Sequence, residues 1–455
     1  MDIAGLIDKQ RVFYNSQFTK VLDLRTEKLC ALADGIRKYE RELTAALYAD
    51  LHKSEFEAYS TETGIVLSEI RSHIKHLKKR AKARRVATPA FMFPSKSKII
   101  SEPYGIVLIV APWNYSFQLI MSPLAGAIAA GNCVILKPSP LAPATAVLIE
   151  KIISETFDPQ HVAVVKGEKE VMEKLLNEKF DYIFFTGSPG FGKVIMQAAA
   201  RNLTPVTLEL GGKSPCIVTA DADLRIAARR IVWGKFLNAG QTCVAPDYLF
   251  VEENVRNRLT DLMKTEIKTM FGNNPQASSD FGRIVNEGGI QRLVHLLQHG
   301  TIVEGGTYNV SERYLAPTII DNVRPEFPVM QEEIFGPILP VMSFKHIEEV
   351  IAYINSHDKP LALYIFASVK KTIDKIINET SSGGVCINDT IMHLANEKLP
   401  FGGVGNSGMG NYHGKYSFET FSHQKAVVNT PVLIDPKMRY APYGNKVKWL
   451  KHFFK

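Results

Sequence analysis

Two residues in this chain have the type and the setting for covalent and acid–base chemistry. Cys243 lies in Phe236–Asp247, F-L-N-A-G-Q-T-C-V-A-P-D, between Gly240 and Pro246. The helix-like run Ile231, Val232, Trp233, Phe236, Leu237 precedes it and the strand-like Tyr248–Val251 follows. Glycine and proline on either side put it in a turn, where a thiolate can act as a nucleophile, rather than on a packed face. A small hydrophobe under a loop fits the same letters, because free cysteine is among the most buried residue types. Glu209 lies in Leu203–Val218, L-T-P-V-T-L-E-L-G-G-K-S-P-C-I-V, between Leu208 and Leu210 in an apolar run ending in a double glycine. Desolvation there raises a carboxyl pKa and suits it to accepting and releasing protons near neutral pH. An outward-pointing Glu on an edge strand is the equal alternative.

The elements that must position these groups are legible as an alternation. From Gly105 to Gly187, apolar strands (Ile106–Ala111, Cys133–Leu136, Val162–Val165, Tyr182–Phe185) alternate with helical windows (Phe117–Ala130, Ala144–Thr156, Val171–Glu178). That order implies a parallel, doubly wound sheet, whose ligands bind beyond the carboxyl ends of the strands. Three such ends carry Pro112-Trp113-Asn114, Lys137-Pro138-Ser139 and Thr186-Gly187-Ser188. The last runs into Pro189-Gly190-Phe191-Gly192-Lys193, a glycine-rich turn opening a helix, which favours a phosphate. Gly187–Lys193 also fits G-x-x-x-x-G-K, but Val194 stands where a nucleotide triphosphatase needs Ser or Thr for magnesium, so a dinucleotide is the better reading. Gly403–Gly408 fits G-x-G-x-x-G without a strand before it or a helix after it, and reads as a tight loop.

Around this core, Leu22, Leu29, Leu32, Ile36, Tyr39, Leu43 and Leu47 recur as one face of a helix. The acid-free run Lys75–Arg85 reads as a solvated helix face, and Phe91–Tyr104 as a hairpin-like excursion. After Cys243 a second α/β region follows, with helical windows at Asn254–Phe271, Ile290–Gln298 and Ile347–Ser356. Strand-like pieces lie at Tyr248–Val251, Ala316–Ile320 and Leu361–Phe366. Glu332-Glu333-Ile334-Phe335-Gly336-Pro337 sets a carboxylate pair before an aromatic turn, and such a carboxylate can bind ribose hydroxyls.

With 455 residues, 45% hydrophobic and 22% charged, the chain is long enough for two or three domains and for a sizeable core. A net charge of +8 favours anionic ligands such as nucleotides without demanding nucleic acid. Cys30, Cys133, Cys216, Cys243 and Cys386 form no C-x-x-C pair, so neither a disulfide framework nor a zinc site is expected, and a cytoplasmic setting is. No metal-ligand spacing and no secretory signal is readable. Leu119–Leu136 is interrupted by Pro123, Gly126 and Gly131 and reads as a buried helix and a strand rather than a membrane span.

Seven stretches in a fixed order then carry a resemblance: A-P-W-N-Y (Ala111–Tyr115), V-I-L-K-P-S (Val134–Ser139), F-T-G-S (Phe185–Ser188), L-E-L-G-G-K (Leu208–Lys213), G-Q-T-C (Gly240–Cys243), E-E-I-F-G-P (Glu332–Pro337) and P-F-G-G-V-G-N-S-G (Pro400–Gly408). From Pro103 to His423 the chain resembles the aldehyde dehydrogenase superfamily. The short N-terminus, A-P-D-Y after Cys243, and Y-H-G-K-Y-S-F-E-T-F-S-H from Tyr412 resemble its class 3 branch for fatty and aromatic aldehydes. The resemblance implies a Rossmann-like parallel-sheet cofactor domain (1–82 and 104–209) and an α/β catalytic domain (210–395). It also implies a small β bridging and dimerisation element (83–103 and 396–430), followed by a tail (431–455). It implies Cys243 as nucleophile, Glu209 as general base, and the Asn114 amide with the Cys243 backbone N–H as an oxyanion hole. NAD or NADP is expected against Pro112, Trp113, Lys137, Thr186, Gly187, Ser188, Leu210, Glu333 and Phe335, with no metal. A homodimer is expected, and the alternative is a non-catalytic dinucleotide-binding relative. Class 3 enzymes follow K-P-S with Glu, whereas this chain has Pro140, so NADP is expected to be tolerated beside NAD. The basic, aromatic tail Gly444–Lys455, with Val447, Leu450 and Phe454 on one helical face, suits contact with a membrane surface or packing on the chain's own dimer.

Overall fold

A computed structural model describes residues 2–435 and 437–453. The chain opens with helices α1 (Ile3–Asn15), α2 (Leu22–Lys38), α3 (Glu40–Leu51), α4 (Glu55–Ala58) and α5 (Gly64–Ala81). The apolar face expected as one helix from Leu22 to Leu47 is two, because the chain leaves helical geometry at Tyr39 (φ −107°, ψ 18°). Between α4 and α5, Tyr59–Thr63 forms a wide, π-type helical turn. Strands β1 (Arg84–Val86) and β2 (Lys96–Pro103) pair antiparallel; the hairpin expected within Phe91–Tyr104 has only its second strand there and starts earlier, at Arg84.

The alternating stretch forms β3 (Ile106–Val110), α6 (Gln118–Ala130), β4 (Cys133–Lys137), α7 (Pro143–Thr156), β5 (Val162–Val164), α8 (Lys169–Asn177), β6 (Tyr182–Gly187), α9 (Pro189–Ala200) and β7 (Val206–Leu210). These five strands pair in parallel in the order β7-β6-β3-β4-β5. Their runs of Ile, Val, Leu and Phe are buried on both faces, as a helix-covered parallel sheet requires. Strand order reverses between β3 and β6, which opens the crevice where a doubly wound sheet binds its ligand.

A second sheet is built from β8 (Pro215–Val218), which is followed by α10 (Leu224–Phe236), and β9 (Tyr248–Glu252), which is followed by α11 (Arg256–Phe271). Strand β10 (Thr301–Glu304) joins it, while β11 (Tyr308–Asn309) and β12 (Tyr314–Leu315) make a separate ribbon. With β13 (Thr318–Asp321), β14 (Ile338–Phe344), β15 (Ala362–Phe366) and β16 (Gly384–Ile387), the order is β10-β13-β14-β9-β8-β15-β16. Only β10 runs antiparallel there.

The late segment returns to both earlier regions. Strand β17 (Gly408–Met409) pairs antiparallel with β7, and β18 (Ser422–Asn429) pairs along the whole of β2. The late strand expected from Phe418 begins at Ser422, because Lys415–Thr420 is helical. A short helix, Val447–Phe453, ends the described chain; Phe454, counted on its apolar face, lies outside the described residues. Among the described residues no helix is long and apolar enough to cross a membrane.

Candidate active site

Cys243 sits in the turn between α10 and β9, and the turn is held open by unusual backbone. Asn238, Ala239 and Gly240 all have positive φ (53°, 51° and 75°). A Cβ at Gly240 would stand 2.3 Å from the Gly336 carbonyl oxygen, so only glycine fits that approach. The buried Gln241 side chain braces the turn: Nε2 donates to Asn238 O (3.0 Å) and Arg283 O (2.9 Å), and Oε1 accepts from Val285 N (2.9 Å). Flanking side chains tie down the next residues, with Tyr115 OH against Thr242 Oγ1 at 2.6 Å and Tyr364 OH donating to Val244 O. Cys243 is partly exposed. Its thiol is pushed up to about 12, first by its low-dielectric surroundings and then by the carboxyls of Glu333 and Glu209.

Glu209 points inward, which settles the alternative of an outward edge residue. It lies on β7 between β6 and β17, register-paired with Thr186 and Gly408, and is 4% exposed. Neither carboxylate oxygen has a hydrogen-bond partner among the described residues. Burial alone holds its pKa well above the ordinary carboxyl range. A buried carboxyl without bonds is poised to take a proton from a small molecule that reaches it.

Asn114 follows β3. Its Nδ2 donates to Gln241 O (3.0 Å), and among the described residues its second amide hydrogen and its buried Oδ1 have no partner. The amide is therefore bonded to the turn that carries Cys243.

The residues expected to hold a cofactor lie where the strand order reverses or beside it. Pro112 and Trp113 follow β3, Lys137 ends β4, Thr186 and Gly187 end β6, and Ser188 follows it. Ser188 caps α9, accepting from Phe191 N at 3.4 Å, and the buried Thr186 Oγ1 has no partner among the described residues. Lys137 is 4% exposed, and burial lowers its ammonium pKa. Leu210 packs against α9, where a Cβ at Gly192 would stand 2.7 Å from Leu210 Cδ2. Glu333 reaches the Gly211–Gly212 backbone, where a Cβ at Gly211 would stand 2.2 Å from Glu333 Oε2. Its carboxyl is raised to about 8, first by burial and then by Asp247. Trp113 and Phe335 meet edge-to-face at 5.5 Å between ring centroids. A cavity of about 310 Å³ at Glu333 is lined also by Pro189, Gly211, Gly212 and Lys213. An anion-favouring helix start, close-approach glycines and an orphaned hydroxyl fit a dinucleotide.

Two supports of the site were not singled out from the sequence. Lys213 Nζ bonds Asp247 and donates to Val329 O (2.9 Å) and Glu332 O (2.8 Å), while Asp247 Oδ1 accepts from Ile334 N (3.0 Å). Together they clamp the segment that carries Glu333. Lys213 and Asp247 stand in the quoted motifs, so their charges were readable but their pairing was not. The second support is Lys53, Glu57 and Glu62, all buried behind Asn114 and Asn238. Glu57 is raised to about 7 by burial, and its Oε1 has no partner among the described residues. Nothing in the sequence distinguishes these three from solvated helix charges.

Comparison with known proteins places this arrangement. Residues 18–427 match the family described as "Aldehyde dehydrogenase family". The chain is 49% identical to the 4,4'-diaponeurosporen-aldehyde dehydrogenase of Staphylococcus aureus over 98% of this chain and 97% of that one. It is 47% identical to the dog "Aldehyde dehydrogenase, dimeric NADP-preferring" over 97% of this chain and 98% of that one. A solved structure titled "Substrate bound state of Staphylococcus Aureus AldH" covers all of both chains at 48% identity with a TM-score of 0.98. A fold with Rossmann-like parallel sheets, a family match over residues 18–427 and near-complete coverage by these relatives make this chain a member of the aldehyde dehydrogenase family.

Proposed function

We propose that Cys243 carries the NAD(P)-dependent oxidation of aldehydes to carboxylic acids in this chain, with Glu209 as general base and Asn114 as oxyanion donor. The observation that supports this most is a turn-held thiol within electrostatic reach of a buried carboxyl whose two oxygens have no hydrogen-bond partner among the described residues. The sulfur of Cys243, as thiolate, adds to the carbonyl carbon and forms a thiohemiacetal. The free hydrogen of the Asn114 amide and the Cys243 backbone N–H meet the oxyanion, where preorganised donors are worth most. NAD or NADP, when bound, supplies the hydride acceptor. Loss of hydride from the adduct leaves a thioester on Cys243. Glu209 takes a proton from water, the water oxygen attacks the thioester, and the acid departs as the sulfur is released. One aldehyde, one oxidised cofactor and one water thus give acid, reduced cofactor and a proton.

Pro112, Trp113, Lys137, Thr186, Gly187, Ser188, Leu210, Glu333 and Phe335 form the proposed cofactor crevice. Lys137 and Glu333 are assigned to the riboses. The substrates proposed are medium- or long-chain aliphatic and aromatic aldehydes, in line with a 49% identical relative named for 4,4'-diaponeurosporen-aldehyde. A homodimer is supported by the relative named dimeric, and β2 with β18 supplies a bridging sheet for it. The division into a cofactor domain, a catalytic domain (210–395) and a bridging element follows the same reading, as does a cytoplasmic setting. Membrane contact by the tail is tested by liposome flotation with and without residues 447–455.

The deciding measurement is absorbance at 340 nm with a medium-chain aldehyde and each of NAD and NADP. Reduced cofactor is expected with the native protein and not with Cys243→Ala. Silence across fatty and aromatic aldehydes, from folded protein that binds dinucleotide, would overturn the proposal in favour of a non-catalytic relative.

A further inference from the structure

Behind the site lies an ion pair that the chemistry above does not use. Lys53 Nζ and Glu62 Oε1 stand 2.5 Å apart, and both side chains are fully buried. Two charges removed from water are costly, and an apolar pair of the same volume often serves stability as well or better. What these two charges hold is therefore informative.

Both reach one short stretch. Lys53 Nζ donates to the Asn114 carbonyl oxygen at 2.9 Å, and Glu62 Oε2 accepts from Phe117 N (3.0 Å) and Gln118 N (2.8 Å). The stretch 111–117 belongs to neither β3 nor α6; Ala111 N bonds Lys137 O (3.2 Å) at its start and the Tyr115 and Phe117 carbonyls accept from Leu119 N and Met121 N, which leaves Asn114 to be held by side chains. The pair grips its middle, at Asn114, and its end, at Phe117, at once. Lys53 also lies 4.0 Å from the centre of the Tyr115 ring. Asn238 Nδ2 adds a second donor to Asn114 O (2.8 Å) and links it to Gln241 O (3.2 Å), next to Thr242 and Cys243. Glu62 itself is supplied by the π-type turn Tyr59–Thr63, a local irregularity common at functional positions.

We propose that Lys53 and Glu62 are positioning residues for the oxyanion donor: their ion pair fixes the 114–118 turn so that the Asn114 amide meets the oxygen of the Cys243 adduct. The inference rests on the oxyanion role proposed for Asn114. A donor of this kind acts only within a few tenths of an ångström of its place, and that precision is what a buried, multiply bonded pair supplies.

The test compares carbonyl chemistry with chemistry that forms no oxyanion. Full-length Lys53→Met, Asn114→Ala and the combined variant are assayed for aldehyde oxidation, for p-nitrophenyl acetate hydrolysis, and for alkylation of Cys243 by iodoacetamide. Lys53→Met strands the Glu62 carboxylate, so Lys53→Met with Glu62→Gln is measured beside it; glutamine keeps an acceptor for the backbone N–H groups. Either variant is expected to lower kcat for oxidation and ester hydrolysis by roughly 10- to 100-fold, within the range of losing an oxyanion donor. KM and the alkylation rate should stay within about twofold, and adding the change to Asn114→Ala should cost less than about threefold more, because coupled groups are not additive. Multiplicative losses, or an equal fall in alkylation, would overturn the positioning role while leaving Asn114 as the donor. An Asn114→Ala enzyme with undiminished ester hydrolysis would overturn the oxyanion reading and the positioning role with it.

Discussion

The ligand-free enzyme should hold its nucleophile as an unusually unreactive thiol. Cys243 is raised from 9.0 to about 12, with low-dielectric surroundings as the first cause and Glu333 and Glu209 next. Three pKa units leave roughly 1,000-fold less thiolate near pH 8, while the more basic sulfur gains roughly 15- to 30-fold in nucleophilicity at a Brønsted slope of about 0.4–0.5. Alkylation by iodoacetamide without cofactor should therefore run roughly 30- to 60-fold slower than for free cysteine at pH 8. It should also climb about tenfold per pH unit from pH 7 to 10 without a plateau. The assay is mass-spectrometric quantitation of the modified Cys243 peptide over time at each pH. Glu333→Gln should accelerate it modestly, since removing a neighbouring charge leaves the larger burial contribution in place. A plateau below pH 9 would refute the reasoning, as would a Glu333→Gln variant that reacts no faster above pH 8, where the native carboxyl, raised to about 8, is ionised.

Three further outcomes follow from other parts of the molecule. Glu57 is raised from 4.5 to about 7, so the folded state holds its proton more tightly than the unfolded chain does. Stability linked to it is present below pH 4.5 and is lost as pH rises to about 7, by about 3 kcal/mol in all. Glu57→Gln should thus gain in Tm relative to the native protein between pH 5 and pH 8, and an unchanged difference would contradict the burial argument. Gly240→Ala places a Cβ against the Gly336 carbonyl oxygen at a left-handed φ, and should lose about 2–4 kcal/mol in chemical denaturation together with activity. Pro140, exposed in the loop after β4, leaves that place without a carboxylate. Pro140→Glu should cut kcat/KM with NADP relative to NAD by about tenfold, and strict NAD dependence of the native chain would sink the premise.

The parts of this protein legible in its sequence are those where local chemistry and local conformation coincide. The turn at Cys243 and the strand at Glu209 are written in their flanking letters, although the inward direction of Glu209 is not, and the ends of β3, β4 and β6 carry the proposed cofactor residues within three positions of the last apolar residue. What escaped reading is long-range. Lys53 and Glu62 are nine residues apart, and their target at Asn114 is 61 residues from Lys53. A lysine and a glutamate in that setting look like any solvated helix face until α6 is packed against them. The break at Tyr39 escaped for the opposite reason, since the apolar period runs on through a residue whose backbone turns aside.

Strand β17 has a consequence for how the enzyme comes into being. Glu209 lies on β7, and the neighbour that seals its outer edge, Gly408, is made about 200 residues later. A nascent chain that has completed β3 to β7 and has even finished Cys243 still carries the base on an open strand edge. The active enzyme therefore cannot exist as a growing fragment. The segment that threads back to the first sheet and along β2 completes the catalyst only after both α/β regions have been made.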